Sequence, residues 1–327
     1  MNVLITGGAG YIGSHTAKLL KSRGLTPVVF DDLSQGRLAW ARYGPFVFGD
    51  IRDEEALFRV LKGFQIEAVI HFAARASVEE STRLPEVYFD VNVGGTVALL
   101  KAMKRAEVRR LVFSSSAAVY GDARVDTIAE DHPKKPTNPY GLSKWQCEQV
   151  VSSVAPVAGI RYAVLRYFNV VGNDPEGELY ETHEPETHVL PNLMRAALTG
   201  GSFTLYGTDH PTADGTAVRD YVYVMDLALA HVRALEVLDT RERLVSNVGG
   251  GSGVSVRELL AVVGEALGRP ISMVERPIRA GDPPRLVADD RFLRTWFSHR
   301  FKPLSEVVPE MAQNPPYFLV PERSDRP

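Results

Sequence analysis

Gly7, Gly10 and Gly13 stand three residues apart, between a short apolar run, Asn2–Thr6, and a segment with helical periodicity, Ile12–Ser22. No other feature constrains the fold as much. The first two glycines let the backbone turn tightly and approach a pyrophosphate, and the third lets the helix pack close to the strand. The N–H groups of the helix start would then face the phosphates. Three glycines alone are also compatible with a plain turn needing positive φ. Here Asp31 closes the second apolar run, eighteen residues beyond Gly13. A carboxylate at that place accepts hydrogen bonds from the adenosine ribose and repels a 2′-phosphate, which predicts NAD rather than NADP. Asp50, after the third run, is placed either to reach the adenine or to cap the next helix.

The pattern around the glycines repeats. Apolar runs at Asn2–Thr6, Thr26–Asp31, Phe46–Gly49, Ala68–Phe72, Arg109–Ser114 and Tyr162–Tyr167 alternate with helical segments at Ile12–Ser22, Glu54–Leu61, Pro85–Ala106 and Pro139–Ala155. Short, nearly continuous apolar strands are those buried on both faces of a parallel sheet. The pattern predicts an α/β fold with a doubly wound parallel (Rossmann) sheet; the glycine spacing disfavours a TIM barrel. After Phe168 the rhythm changes. Gly172–Pro185 reads as a long loop, Pro191–Leu198 as a helix, and Phe203–Tyr206 and Val218–Val224 as strands. Asp226–Leu238 reads as a helix with Asp226 as N-cap, Val245–Gly251 as a strand entering a glycine turn, and Ser255–Leu267 as a capped helix. The expected division is a cofactor domain over residues 1–168, with 226–250 returning to its sheet, and a smaller α/β substrate domain over 169–327. The proline-rich tail, Pro315–Pro327, carries no functional reading.

Composition narrows the class. With 45% hydrophobic and 24% charged residues in 327, the chain can bury a core without a disulfide or metal. A net charge of −3 leaves no broad basic face, so no nucleic acid partner is expected. No apolar run reaches the roughly 18 residues of a membrane span, so no membrane partner is expected either. The N-terminal residues do not form a signal peptide. The single cysteine, Cys147, excludes an internal disulfide framework. Together these features predict a cytoplasmic protein.

Tyr140 and Lys144 are four residues apart on an expected helix and share one face. A phenol is a poor base at neutral pH, but a nearby ammonium and a positive nicotinamide ring both favour the phenolate. Tyr140 could then take a proton from an alcohol whose carbon loses hydride. Ser114, Ser115 and Ser116 end the fifth run, on the edge where such sheets bind ligands, and one of their hydroxyls could hold the reacting oxygen. A bare Y-x-x-x-K is otherwise an exposed helix with an extended lysine.

Thr6-Gly-Gly-Ala-Gly-Tyr-Ile-Gly13, Ser114-Ser-Ser-Ala-Ala-Val-Tyr-Gly121 and Pro139-Tyr-Gly-Leu-Ser-Lys144 resemble the extended short-chain dehydrogenase/reductases. Arg166-Tyr-Phe-Asn169, Glu186-Thr-His-Val-Leu-Pro191, Asp214-Gly-Thr-Ala-Val-Arg-Asp-Tyr221 and Arg279-Ala-Gly-Asp282 resemble the branch of that family that inverts C4 of UDP-hexoses. The resemblance runs to about Gln313. It implies tightly held NAD, transient oxidation of the sugar to a 4-keto form, rotation of that sugar, and hydride return to its other face. The net reaction is interconversion of UDP-galactose and UDP-glucose. It assigns Tyr140 as the base, with Lys144 and Ser116 assisting. Cofactor contacts would fall to Gly7, Gly10, Tyr11, Ile12, Gly13, Asp31, Asp32, Asp50, Ile51, Phe72, Ala73, Ala74, Asn92, Ser114, Tyr140, Lys144 and Tyr167. Substrate contacts would fall to Ser116, Phe168, Asn169, His188, Val189, Tyr206, Arg219, Arg279 and Asp282. Tyr206 would pack on the uracil, the two arginines would bind the pyrophosphate, and Asp282 the uridine ribose. A homodimer through Pro85–Ala106 and Pro139–Ala155 is also implied.

The chain departs from the family at Ala76, where some members carry a lysine, and Leu286 stands where some carry a tyrosine that blocks an N-acetyl group. A 4-epimerase of an N-acetylhexosamine or a pentose is therefore an alternative. A 4,6-dehydratase is disfavoured, because Ala117 and Ala118 occupy the positions of its acid and base. A non-catalytic NAD sensor would not need Tyr140 and Lys144. His183, Glu184, Glu186 and His188 are too loosely spaced to predict a metal site. Cys147 reads as a packing residue, and Gly249–Gly253 as a turn rather than a phosphate loop.

Overall fold

The computed structural model describes residues 1–181, 186–279 and 282–313. The first part of the chain runs β1 (Asn2–Thr6), α1 (Tyr11–Ser22), β2 (Thr26–Asp31), β3 (Phe46–Phe48), α2 (Glu54–Gly63), β4 (Ala68–His71), α3 (Val78–Arg83), α4 (Pro85–Tyr88), α5 (Gly95–Ala106), β5 (Arg110–Ser116), α6 (Pro139–Val157) and β6 (Arg161–Tyr167). It continues through β7 (Asn169–Val171), α7 (Val189–Thr199), β8 (Ser202–Tyr206), β9 (Val218–Tyr223), α8 (Val224–Val237), β10 (Arg243–Val248), β11 (Gly253–Ser255), α9 (Val256–Leu267), β12 (Ser272–Arg276), β13 (Arg285–Leu286) and α10 (Leu304–Gln313).

The main sheet has seven strands in the order β10-β6-β5-β4-β1-β2-β3, all paired in parallel. Parallel strands need covered faces, and both are covered. Val69, Leu111 and Phe113 pack with Leu57, Leu99, Met103 and Val151 from α2, α5 and α6. On the other face Ile5, Ile70 and Val112 pack with Ala17 and Leu20 of α1 and Leu227 and Leu235 of α8. The strand order reverses between β1 and β4, so a crevice opens at their carboxyl ends.

The later strands build two smaller sheets. In one, β9 pairs with β7, β11 and β13, and in the other β8 pairs with β12. Leu190, Leu193, Phe203, Leu259 and Val307 form their core with α7, α9 and α10. Local signals fix the helix starts. Asn138 Oδ1 accepts the Gly141 N–H (2.8 Å) ahead of Pro139 at the first turn of α6, and Ser255 and Glu258 form a capping box on α9.

Several expectations need correction. Residues 85–106 are not one regular α-helix: Phe89–Gly94 form a π-helical stretch between α4 and α5. Asp226 does not cap α8; Tyr223 stands at the N-cap position, and no side chain caps the helix. Asp226 lies in the first turn and instead accepts the Lys302 N–H and pairs with His299 Nε2, both at 2.7 Å. Asp50 is not the cap of α2. Asp53 is, taking the Ala56 N–H at 2.9 Å, while Asp50 binds the Arg52 guanidinium. Gly249–Gly253 is more than a turn, since Gly253 begins β11. Residues 172–181 form no helix or strand. His183, Glu184, Pro185 and the tail Pro315–Pro327 lie outside the described residues. No helix among the described residues is long and apolar enough to cross a membrane.

Candidate active site

The glycine loop lies in the crevice. Gly7 has φ +72°, and a Cβ there would lie 2.6 Å from the Ala73 nitrogen. A Cβ on Gly13 would lie 2.2 Å from the Gly7 oxygen. These two glycines are therefore required by packing between α1, β1 and the segment after β4. Gly10 differs: a Cβ there would approach only the Gly7 oxygen, at 3.3 Å. Its open side leaves room for a ligand against the backbone. No side chain caps α1, so the amides of its first turn, at Tyr11 and Ile12, are available to phosphate. This cradle fits a dinucleotide.

Asp31 ends β2 in the same crevice. Its carboxylate accepts the Ala9 N–H at 3.0 Å and the Leu33 N–H at 2.8 Å. Burial raises its pKa, and the two N–H bonds oppose that rise. A carboxylate has about four acceptor positions, so Asp31 can hold the glycine loop and still accept from ribose. Asp32 takes the Ser34 N–H at 2.9 Å. Asn92 lies on the π-helical stretch. Its Oδ1 accepts the Arg75 N–H (2.8 Å), and its Nδ2 donates to the Arg75 carbonyl (3.1 Å) and Ser143 Oγ (2.9 Å). It therefore fixes the Phe72–Arg75 segment, and its own donors are already engaged.

β5 and α6 bring the expected catalytic groups together. Tyr140 and Lys144 are both buried. The Ser116 side chain lies near the Tyr140 hydroxyl, and Ser116 Oγ accepts the Ala118 N–H at 3.1 Å. Lys144 Nζ donates to the Ser114 carbonyl at 2.9 Å, which places it at the end of β5. Burial lowers the Lys144 pKa to about 8. The expected lowering of the Tyr140 pKa is not met in the free protein. Burial raises it, the nearby Ser116 side chain opposes the rise, and Lys144 does not lower it.

Sequence reasoning missed His231 of α8. It is fully buried, with Nδ1 2.8 Å from the Leu227 carbonyl and Nε2 2.7 Å from Ser114 Oγ. A carbonyl only accepts, so Nδ1 carries the proton and Ser114 donates to Nε2. Burial lowers the His231 pKa to about 4, which keeps it neutral. Its ring lies 4.6 Å from Phe72. Tyr167 lies near Ser114, and burial raises its pKa. A helical histidine far along the chain gives no sequence signal for this role.

The expected substrate residues come together in pairs. Arg219 is 9% exposed and forms an ion pair with Asp282. The Arg279 guanidinium stacks on Tyr206, 3.8 Å from the ring centroid. The two arginines are thus not two free cations: one is paired and the other covers an aromatic face. Leu286 is the register partner of Arg219. Asn169 pairs in register with Tyr221, and Phe168 packs beside Ala117 and Leu286. His188 precedes Val189 at the start of α7. The Glu181 charge raises its pKa to about 9 against the opposing effect of burial. Glu181 and Glu186 lie beside it.

A parallel sheet with a dinucleotide cradle, a buried Tyr–Lys pair beside the half-buried Ser116 and an arginine-bearing second part defines a nucleotide-dependent oxidoreductase-like class. Residues 3–249 match the NAD dependent epimerase/dehydratase family, and the chain belongs to that family. The chain is 44% identical over 291 residues to the UDP-glucose 4-epimerase of Rhizobium meliloti (strain 1021), covering 88% of this chain and 89% of the relative. It is 43% identical over 314 residues to that of Lactobacillus helveticus, covering 95% and 94%. The crystal structure of UDP-glucose 4-epimerase from Brucella ovis in complex with NAD superposes with a TM-score of 0.92 at 43% identity, covering 96% of this chain and 98% of that one. The enzyme from Bifidobacterium longum in complex with NAD+ and UDP gives 0.90 at 33% identity, covering 97% and 99%.

Proposed function

We propose that this chain interconverts UDP-galactose and UDP-glucose by inverting C4. The observation that carries the chemistry is the buried Tyr140–Lys144 face of α6 set against the serines that end β5, with Lys144 Nζ on the Ser114 carbonyl; the UDP-hexose follows from the relatives. Bound NAD supplies a hydride acceptor for C4, a source for its return, and positive charge beside the phenol. Tyr140 takes the C4 hydroxyl proton and returns it after the sugar has turned. Ser116 holds the reacting oxygen against Tyr140. Lys144, fixed by the Ser114 carbonyl, supplies a donor toward the nicotinamide ribose. Gly10, Tyr11 and Ile12 receive the cofactor phosphates, and Asp31 the adenosine ribose. Arg219 and Arg279 bind the UDP pyrophosphate with guanidinium forks. For that, Arg219 shares or exchanges its Asp282 partner, and Arg279 leaves the Tyr206 face free for uracil. Firm anchoring of UDP and few contacts to the hexose let the 4-keto sugar rotate.

A homodimer through residues 85–106 and 139–155 rests on the family resemblance; light scattering at micromolar concentration tests it, and a monomer mass rejects it. A cytoplasmic location fits the free, buried Cys147. The function is tested by incubating the purified protein with UDP-galactose without added NAD. UDP-glucose should form, and its absence even with NAD supplied overturns the proposal.

A further inference from the structure

Behind the candidate base lies a buried ion pair that the reaction does not use directly. Glu148 of α6 and Arg166 of β6 have side chains only 5% and 4% exposed. Arg166 Nε donates to Glu148 Oε1 at 2.9 Å, and Nη2 donates to Oε2 at 2.7 Å. Its Nη1 donates to the Tyr120 hydroxyl at 2.9 Å and the Glu130 carbonyl at 3.0 Å. Ser115 Oγ donates to Glu148 Oε1 at 2.5 Å. The Tyr120 hydroxyl continues to Asn247 Oδ1 of β10 at 2.7 Å.

The register of these contacts is informative. Tyr140, Lys144 and Glu148 follow at four-residue steps along one face of α6. Ser115 stands between Ser114, whose carbonyl holds Lys144, and Ser116, whose side chain lies near Tyr140. Arg166 immediately precedes Tyr167, Phe168 and Asn169. One ion pair thus joins the helix bearing the base, the strand bearing the serines and the strand leading to the substrate side. Stability alone does not account for it, because replacing a buried pair by apolar residues of similar volume is often neutral or stabilising.

We propose that Glu148, held by Arg166 and Ser115, is a positioning residue that fixes the Tyr140 hydroxyl against the Ser116 hydroxyl for proton transfer. This rests on the reading of Tyr140 as the acid–base group. A misplacement of about 1 Å at a reacting centre can cost about 100-fold in rate, and the network spans the elements whose spacing sets that distance.

The test is the double variant Glu148→Leu/Arg166→Met, which leaves no unpaired buried charge. Melting temperature, NAD content, UDP affinity and steady-state epimerisation of UDP-galactose are measured beside the parent. The expected result is unchanged or higher melting temperature, NAD content as in the parent, KM and UDP affinity within about threefold, and kcat lower by about 10- to 100-fold. A folded, NAD-loaded double variant with kcat within about twofold of the parent overturns the inference. Ser115→Ala keeps the test open should the double variant not fold, because it removes one hydrogen bond and leaves the ion pair intact. It should lower kcat several-fold at unchanged KM and melting temperature, and unchanged kcat overturns the inference. An inactive parent would instead remove the underlying functional reading.

Discussion

Replacing Gly13 by Ala sets two effects of known size against each other. Gly13 lies in the first turn of α1 and has no positive φ. On helix propensity alone, alanine should stabilise the protein by about 0.5–1 kcal/mol. The added Cβ, however, would lie 2.2 Å from the Gly7 oxygen and 2.8 Å from the Gly8 Cα. Carbon–oxygen contacts settle near 3.3–3.6 Å, so α1 must retreat by about 1 Å. Overpacking of this kind costs about 1–3 kcal/mol, and here the obstacle is backbone, which cannot rotate away. The net effect is a loss of up to about 2.5 kcal/mol in the NAD-free protein. The cofactor suffers more, because the displaced turn holds the amides aimed at its phosphates. Loss of even one charge-assisted bond, worth about 1.5–3 kcal/mol, weakens NAD by at least about tenfold. Urea unfolding of NAD-stripped protein and the NAD retained per chain after gel filtration measure the two effects. A Gly13→Ala protein that gains stability and keeps NAD as the parent does would refute the packing argument.

Tyr140→Phe removes the proton acceptor while leaving its ring in place. Its kcat should fall by about 10²- to 10⁴-fold, with UDP affinity by calorimetry nearly unchanged; surviving turnover would mean another base. Arg219→Ala leaves Asp282 unpaired and deprives the pyrophosphate of a fork. UDP affinity should fall by about 10- to 150-fold, and titration showing less than a twofold change would remove Arg219 from the anchor. Stability should also depend on pH. Burial lowers the pKa values of His15, His71 and His231 to about 4, 3 and 4, against about 6.5 when unfolded. The unfolded chain therefore binds more protons below pH 6.5, and stability present above that pH is lost as the pH falls toward 4. Asp220, raised to about 6 by burial, acts in the opposite direction. The net slope near pH 5 is about 2–3 kcal/mol per pH unit from these four groups. Equal urea midpoints at pH 7 and pH 5 would contradict it.

The parallel sheet was legible because its strands carry no polar alternation and its glycines sit at a strand–helix junction. The Tyr140–Lys144 pair was legible because helical spacing alone places both on one face. What escaped the sequence depends on distance along the chain. His231 reaches Ser114 only because α8 packs beside β5, and Glu148 meets Arg166 only because α6 crosses β6. The π-helical stretch at Phe89–Gly94 has no periodic signature that separates it from a continuous helix. Asp226 looked like a cap because acidic residues favour both the N-cap and the first turn; the contacts with His299 and Lys302 decide between them. Only the family resemblance pointed the arginines toward a pyrophosphate, and their pairing with Asp282 and Tyr206 left no signal in the sequence.

The central claim is that hydride leaves C4 and returns to C4 within one site. UDP-galactose carrying deuterium at C4 tests it most directly, with the product examined by mass spectrometry and NMR. The account predicts UDP-glucose with the deuterium retained at C4, formed without added NAD. Loss of the label to solvent, or solvent hydrogen at C4 of the product, would contradict it.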